Sequence, residues 1–449
     1  MLLPDDQPKA DLHPDRLRAL AMLLNIPTPA PVNKATILFL GVSLGSNLLA
    51  LASEYPQAAF SAVCLNSQEA SQLQAAYTHL GLKNIQLHLQ DDWLKREPTP
   101  VFDYIVCHGY FSYLKTESKQ ALLQSISLSL SETGIAYVDY LTEPGWQAFT
   151  TLQHLIVNSC DFVAKPTLEE INRGINLVYA SLPEHSPLKA SIKHIVPHMD
   201  MRTHPDLNGY WPLLPAFADT AETFINHLHQ AELGYVCDSN ITRYFFGQLS
   251  PELLQLCGKD FHRLENLYDL IHGQASRASL IVPIAQLIGF RLPSHAHICE
   301  RMLDLHITGR FELSADKNTW HSAHTHSNTV MATPLNNMVI ESINHVHAAD
   351  STLSVRKLLE AINQKFKQIP NINRHATTLV ADMVLSGMVE IRSQRHNGFL
   401  HRPQMQALHR WRMQHNPYLT PANKWLQPCS EQDLAKPSKT TTAKTATSP

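Results

Sequence analysis

The sequence lacks the features of secreted and membrane-spanning chains. Its first stretch, MLLPDDQPKADLHPDR, is acidic and rich in proline, whereas a secretory signal has a basic start followed by an apolar run. No later segment has the ~18 consecutive uncharged apolar residues that a transmembrane helix needs. We therefore expect a soluble, cytoplasmic protein that does not interact with a membrane.

The chain also has a small net charge and no CxxC pair of cysteines. The formal net charge is −3, which is too small to attract nucleic acid or anionic lipid through a field over the whole surface. The seven cysteines are odd in number and scattered, and no two form a CxxC pair. We expect them to be free thiols. Composition therefore excludes a disulfide scaffold and identifies no partner.

The first 150 residues alternate short apolar runs with helical stretches. This rhythm is typical of a parallel sheet flanked by helices. We predict a first helix over 16–24 and further helices over 47–53, 67–80 and 118–130. The five predicted strands are Ala35–Leu40, Ala59–Leu65, Ile85–Leu89, Phe102–Cys107 and Ile135–Tyr140. Residues 1–150 are thus predicted to form a doubly wound α/β domain.

The chain of 449 residues exceeds the roughly 250–300 residues that one core serves, so further domains are expected. Residues 151–335 show mostly helical patterns and predict a mainly helical domain, with a polar, histidine-rich loop over Arg310–Thr333. Residues 340–395 predict a winged-helix-like domain, because two helices over 355–366 and 375–385 precede a strand-like segment. The polar tail over 435–449 is predicted to be disordered.

Four segments together resemble a known family. They are HPDRLRALAMLL at 13–24, FDYIVCHGYFSYL at 102–114, YVDYLTEPGW at 137–146, and ELGYVCDSN at 232–240 within the helical block. They resemble the bacterial class I S-adenosylmethionine-dependent methyltransferases that carry a methyltransferase regulatory domain, an arrangement also found in rickettsial protein lysine methyltransferases. The likeness runs from about His13 to Ser393. It implies a Rossmann-like fold, S-adenosylmethionine as cofactor and methylation of protein lysine side chains.

The resemblance assigns a cofactor loop to residues 39–47. The family's loop usually reads ELGCGxGxN, and the matching stretch here is FLGVSLGSN. Glycines let the backbone turn tightly and approach a ligand at a helix N-terminus. Phe39 and Ser43 replace the family's acidic residue and its middle glycine. The cofactor-binding residues assigned to this loop are Gly41, Ser43, Gly45 and Asn47.

Two more cofactor contacts follow from the resemblance. The family has an aspartate at the end of the second strand that accepts hydrogen bonds from both ribose hydroxyls, and this chain has Cys64, whose thiol is a weak acceptor. Loss of the charged acceptor would cost about 1.5–3 kcal/mol, so Cys64→Asp is expected to tighten binding, unless a neighbour such as Asn66 takes over the contact. After the third strand, Asp91 is assigned to the adenine amino group. The alternative is that Asp91 and Asp92 are solvated loop acids.

His108 is the foremost catalytic candidate. Methyl transfer to an amine is an in-line displacement that needs orientation of the reactants and a route for the amine proton. His108 follows the fourth strand, at the carboxyl edge where open α/β sheets bind ligands, so we expect it to contact the cofactor and accept this proton. Tyr113 and Tyr140 border the same predicted pocket and are further catalytic candidates. Their alternative role is packing in the core.

The sequence favours neither a metal site nor DNA binding. Histidine is enriched along the whole chain, so close groups such as His295, His297 and Cys299, or His321, His324 and His326, do not indicate a metal site. The predicted helix over 375–385 contains no lysine or arginine that could contact phosphates. We therefore expect no metal and no nucleic acid partner.

The sequence supports two functional hypotheses. The first is an S-adenosylmethionine-dependent methyltransferase of protein lysine side chains with a degenerate cofactor loop, whose partner is its protein substrate. The alternative is a catalytically inactive pseudo-methyltransferase that binds a partner protein as a scaffold. The substitutions at Phe39, Ser43 and Cys64 are the features that separate them. The oligomeric state is not predicted.

Overall fold

The computed structural model is built around a seven-stranded β-sheet. It describes residues 8–42, 45–95, 101–159, 168–195, 216–245, 249–258, 260–323, 325, 328–396 and 407. The predicted tail over 435–449 lies outside the described residues.

The sheet has the strand order β3-β2-β1-β4-β5-β7-β6. Strands β1 to β5 pair in parallel, and β7 is antiparallel to both of its neighbours. Because the order reverses between β1 and β4, a crevice is expected at their carboxyl ends. All five predicted strands are confirmed. The strands are β1 Thr36–Leu40, β2 Ala59–Cys64, β3 Ile85–Leu89, β4 Phe102–Cys107, β5 Leu130–Leu141, β6 Leu233–Asp238 and β7 Ser276–Pro283.

Helices connect and cover the parallel strands, as the alternating pattern predicted. The first helix begins early because Pro14 suits its first turn and His13 Nδ1 accepts the Asp15 N–H at 3.1 Å. It ends where Asn25 adopts a left-handed conformation. The helices of this part are α1 Pro14–Leu24, α2 Ser46–Glu54, α3 Ser67–His79, α4 Gln90–Lys95 and α5 Thr116–Ser129.

The expectation of a mainly helical region over 151–335 is wrong for β6 and β7, which complete the sheet. The segment ELGYVCDSN contains β6, and all six residues of that strand are buried. A strand buried on both faces has no alternating pattern, so its periodicity does not distinguish it from a buried helix. The sheet therefore uses residues on both sides of the predicted boundary at 150.

Helices also occupy the stretches before, between and after the last two strands. Leu152, Ile175 and Ile192 form a small separate core among α6, α7 and α8. The helices are α6 Glu143–Ser159, α7 Leu168–Ser181, α8 Pro187–Ile195, α9 Ala221–Gln230, α10 Thr242–Phe245, α11 Pro251–Cys257, α12 Phe261–His272 and α13 His295–Arg301.

The C-terminal part contains the predicted order of two helices and a strand. The first of the two helices matches the prediction closely, whereas the second begins at Ile372 and so includes Arg374. Its helices are α14 Pro334–Ala348, α15 Val355–Lys365 and α16 Ile372–Leu385. Its strands are β8 His306–Thr308, β9 Phe311–Leu313, β10 Thr319–Ser322, β11 Thr329–Met331, β12 Leu353–Ser354 and β13 Glu390–Arg392.

Two small sheets use these strands, in the orders β11-β10-β9 and β12-β8-β13. The first corrects the prediction of a loop over Arg310–Thr333. Phe311 and Trp320 bury their side chains there while much of the sheet remains exposed, so the composition is polar despite regular pairing.

One continuous hydrophobic core joins a face of the large sheet to α1 and to the C-terminal helices. Of the described cysteines, Cys64, Cys107, Cys237, Cys257 and Cys299 are free. Over the described part of the chain, no helix has the length and apolar character needed to cross a membrane.

Candidate active site

The strand register brings the candidate residues to one edge of the sheet. Leu40 of β1 lies opposite Val63 of β2 and Cys107 of β4, and Cys107 lies opposite Val138 of β5. The residue that follows each of these therefore lies in one row across the carboxyl edge. That row contains Cys64, Gly41, His108 and Asp139.

The loop between β1 and α2 is held by two glycines with positive φ. Gly41 has a φ of 73° and Gly45 a φ of 84°. A Cβ at Gly45 would also lie 2.5 Å from Leu73 Cδ1, so any side chain there would displace Leu73 in addition to straining the backbone. Asn47 is nearly buried in the first turn of α2, and its Oδ1 accepts the Lys9 N–H at 2.9 Å. Ser43 lies outside the described residues.

The end of β2 places a glutamate beside the predicted ribose position. Cys64 is fully buried, and burial together with the charge of Glu69 raises the pKa of its thiol to about 12. Asn66 caps α3, because its Oδ1 accepts the Glu69 N–H at 2.9 Å. Glu69 Oε2 in turn accepts the Leu65 N–H at 2.7 Å. Asn66 is therefore engaged in capping, and Glu69 is the carboxylate at this strand end.

At the end of β3 the structure brings Gln90 to the site edge. Gln90 Oε1 accepts a hydrogen bond from Tyr110 Oη at 2.5 Å. Gln90 follows β3 and Tyr110 follows β4, and β2 and β1 lie between these two strands in the sheet. The bond therefore crosses the ends of β2 and β1. Asp91, the predicted adenine contact, is exposed in the first turn of α4, as is Asp92. No periodic pattern in the sequence distinguishes Gln90 from these neighbours.

His108 forms a buried pair with Asp139. His108 Nδ1 hydrogen-bonds one Asp139 carboxylate oxygen, and the Gly109 N–H donates to the other at 2.7 Å. Lys9 Nζ also lies 3.1 Å from Asp139. Burial opposes ionisation of Asp139, but the positive charges of His108 and Lys9 and these hydrogen bonds outweigh it and hold its pKa below the ordinary range. Asp139 is therefore ionised.

The pairing assigns a chemical role to each nitrogen of His108. An ionised carboxylate only accepts hydrogen bonds, so Nδ1 carries the proton that Asp139 accepts. In the neutral ring the lone pair then lies on Nε2, which is able to accept a proton. Sequence analysis found His108 but missed Asp139 and Lys9. A carboxylate inside the apolar run YVDYL was the available signal for Asp139.

The two tyrosine candidates lie in different surroundings. Tyr113 is half-buried at the end of a short 3-10 helix that follows His108. Tyr140 is buried and stacks on Phe224 with ring centroids 4.0 Å apart, while Phe111 contacts it edge-on. The packed-core alternative therefore describes the surroundings of Tyr140. A catalytic role for either residue remains a prediction.

The histidine groups bond to protein atoms. His295 Nε2 lies 2.9 Å from Asp382 Oδ1, and Cys299 Sγ lies 3.6 Å from His295 Nδ1. His297 Nδ1 bonds Ser294 Oγ at 2.9 Å. His324 and His326 lie outside the described residues. Within the described ranges, no group of three or more histidine, cysteine, aspartate or glutamate side chains is arranged to hold a metal ion.

The sequence is similar to proteins from Rickettsia and a cyanobacterium. No family model matches it. It is 27% identical to protein RP789 of Rickettsia prowazekii over 292 residues, which is 62% of this chain and 51% of RP789. It is 30% identical to RP028 of the same organism over 145 residues, or 32% of this chain and 58% of RP028. Protein sll1526 of Synechocystis is 28% identical over 169 residues, 37% of this chain and 33% of that protein. The chain thus spans about half the length of the first two relatives.

Its structure is similar to that of PKMT2 from Rickettsia typhi. The complex of PKMT2 with AdoHcy superposes with a TM-score of 0.76 at 17% identity, covering 95% of this chain and 86% of that chain. A second structure of PKMT2 gives a TM-score of 0.74 at 17% identity, with coverages of 95% and 85%. At this low sequence identity, the superposition establishes the shared fold alone. The chain therefore shares the fold of PKMT2, built on a Rossmann-like sheet, over nearly its whole length.

Proposed function

We propose that this protein transfers a methyl group from S-adenosylmethionine to a lysine side chain of another protein. The observation that carries the proposal is the buried His108–Asp139 pair, which lies at the strand-order reversal where open α/β sheets bind their ligands. Support comes from the fold shared with PKMT2, which has been solved in complex with AdoHcy.

The residues of this edge fit the cofactor. Positive φ at Gly41 and Gly45 lets the backbone approach a ligand closely, and the turn opens onto the N-terminus of α2. Asn47 and Glu69 add polar oxygens along the same edge. When bound, S-adenosylmethionine supplies an activated methyl group on a sulfonium centre. Gly41, Gly45, Asn47 and the end of β2 would hold it.

His108 would remove the proton of the acceptor amine. A lysine amine has an ordinary pKa near 10.4, so at neutral pH it carries a proton that must leave before nitrogen forms a bond to the methyl carbon. His108 Nε2 would accept this proton and so leave the neutral amine with the lone pair that attacks the activated methyl group. Asp139 would fix the orientation of the ring and stabilise the resulting imidazolium.

Lys9 would close the site without competing for the methyl group. Its backbone N–H bonds Asn47 and its ammonium pairs with Asp139, so the N-terminal segment lies across the site. Burial opposes the charged form of Lys9, but the charges of Tyr137, Asp139 and Asp11 raise its pKa well above the ordinary value. A protonated amine is not a nucleophile. Lys9 therefore acts as a fixed positive charge.

Titration calorimetry with S-adenosylmethionine and S-adenosylhomocysteine, followed by transfer of labelled methyl groups to lysine-containing proteins, tests the proposal. We expect binding of both ligands and transfer that His108→Ala slows by about 10²-fold or more. His321→Ala, at an exposed histidine of β10, is the matched control. No binding at millimolar ligand, or binding without transfer to any lysine, would contradict the proposal and favour the scaffold hypothesis.

A further inference from the structure

Glu69 is a fully buried carboxylate at the carboxyl end of β2, and sequence reasoning assigned it no role. Its Oε2 accepts the Leu65 N–H at 2.7 Å, so the carboxylate lies where the chain leaves the strand. Its own N–H donates to Asn66 Oδ1 at 2.9 Å and fixes the first turn of α3. Glu69 is thereby held next to Cys64, in the row that contains Gly41 and His108.

The other side chains at this strand end are poor partners for a ribose. A ribose presents two hydroxyl donors and is best bound by a charged acceptor. Cys64 is a neutral thiol at physiological pH, because burial and the charge of Glu69 raise its pKa to about 12. Asn66 Oδ1 already accepts the Glu69 N–H. Neither replaces the aspartate that the resemblance expects here.

Helix capping does not require a charge at position 69. Glutamate and glutamine both serve as the third residue of a capping box, where the side chain bonds the backbone of the capping residue. Glu69 instead bonds Leu65, one residue closer to the strand. Burying a carboxylate costs free energy that a neutral amide would avoid. An ionised carboxylate has about four acceptor sites, more than the single oxygen of a neutral amide offers.

Tyr110 and Gln90 form a bridge near this strand end. Tyr110 Oη donates to Gln90 Oε1 at 2.5 Å, so the bond crosses the ends of β1 and β2. Burial raises the pKa of Tyr110, and the charges of Cys107 and Glu69 contribute, which agrees with a position of Glu69 near this bridge.

We infer that Glu69 supplies the carboxylate that accepts hydrogen bonds from the ribose hydroxyls of the cofactor, in place of an aspartate at position 64. This inference rests on the proposed function. It explains how the chain could bind S-adenosylmethionine although its second strand ends in cysteine, because the acceptor has moved from the strand to the first turn of the following helix.

The test is calorimetry with S-adenosylhomocysteine and with its analogue that lacks the ribose 2′-hydroxyl. Glu69→Gln keeps the capping geometry and removes the charge. We expect it to weaken binding of S-adenosylhomocysteine by about ten- to hundredfold while leaving the melting temperature of the free protein nearly unchanged. Glu222→Gln, at an exposed glutamate in the first turn of α9, is the matched control and should bind like wild type.

The deoxy analogue separates a ribose contact from an indirect effect. We expect wild type to bind it about tenfold more weakly than S-adenosylhomocysteine, whereas Glu69→Gln should bind the two alike. Cys64→Asp combined with Glu69→Gln should restore affinity, because the acid returns to the strand end.

Three outcomes would overturn the inference. If wild type binds and Glu69→Gln binds equally well, the inference is wrong and the proposed function stands. If Glu69→Gln fails to fold, the test is made on wild type alone. Equal affinity of wild type for S-adenosylhomocysteine and for its deoxy analogue would then overturn the inference. If wild type binds neither ligand, both the inference and the proposed function fail.

Discussion

His396 Nε2 lies 2.9 Å from a carboxylate oxygen of Asp15, although 381 residues separate the two in the chain. Ser393 Oγ donates to the other Asp15 oxygen, and Glu54 lies 3.8 Å from His396 Nδ1. This buried cluster joins helix α1 to the segment that follows β13. The contact lies beside the core that α1 shares with the C-terminal helices, so the two ends of the described chain stabilise each other.

The first prediction is that this contact makes stability depend on pH. Burial opposes the charged form of His396, but the hydrogen bonds to Asp15 and Glu54 and the Asp15 charge outweigh it and raise its pKa. Because the folded-state pKa lies above the unfolded value of about 6.5, the contribution is fully present below pH 6.5 and is lost as pH rises through the folded value. The melting temperature of wild type should therefore exceed that of His396→Gln most at low pH.

Thermal unfolding of both proteins from pH 5.5 to 9 measures this difference. His321→Gln, at an exposed histidine, should show no such trend relative to wild type. A difference between wild type and His396→Gln that stays constant across the range would mean that His396 contributes by packing alone.

The second prediction concerns the buried ion pairs of Arg277. Its side chain is fully buried, Nε bonds Asp269 at 2.7 Å, and Nη1 pairs with Glu265. Arg277→Met leaves these two buried carboxylates without this partner, which should lower the free energy of unfolding by roughly 3–5 kcal/mol. Denaturant unfolding measures the loss. Arg310→Met, which breaks an exposed pair with Glu312, should have little effect, and equal losses would contradict the argument.

The third prediction assigns a positioning role to Asp139. Asp139→Asn keeps an acceptor for His108 but loses the charge that stabilises the imidazolium and pairs with Lys9. We expect single-turnover methyl transfer to slow by about tenfold or more, with a smaller change in the affinity for S-adenosylhomocysteine. In the background of His108→Ala the same substitution should change the rate little, because the two residues act as a unit. Independent effects of the two substitutions would argue against the pair.

Sequence reasoning recovered those parts of the molecule that local pattern determines. Strands β1 to β5 and helices α1, α2, α3 and α5 follow from the alternation of short apolar runs with helical stretches. Strand β6 was missed because a strand buried on both faces carries no period. The prediction of a loop over 310–333 failed because a polar composition concealed β9 to β11.

The candidate site was predicted only in part, because local pattern indicates single residues and not the partners that the fold brings to them. His108 was identified because it directly follows an apolar strand. Its partners Asp139 and Lys9 come from other elements, and only the register of β4 and β5 and the return of the N-terminal segment bring them together. Glu69 lies in a helix whose capping pattern accounts for it locally, so no sequence pattern connects it with the ribose position at Cys64.

The last prediction concerns Cys64→Asp, whose expected effect the structure changes. From the sequence alone, restoring the family's aspartate should tighten cofactor binding in an enzyme with an open pocket, and should destabilise the fold in a pseudo-methyltransferase whose cleft is filled. In the structure Glu69 already places a carboxylate beside this position, and its charge helps to raise the pKa of the Cys64 thiol. A second buried carboxylate would be repelled by the first.

We therefore expect Cys64→Asp alone to lower the melting temperature of the free protein and to leave the affinity for S-adenosylhomocysteine no better than that of wild type. Adding Glu69→Gln to this variant should recover stability, because one of the two charges is removed. Cys64→Ser, which introduces a neutral polar group, is the control for the change in packing. Calorimetry and thermal unfolding measure both quantities. If Cys64→Asp alone tightens binding tenfold without loss of stability, the ribose acceptor is missing in the native chain and Glu69 serves only to cap α3.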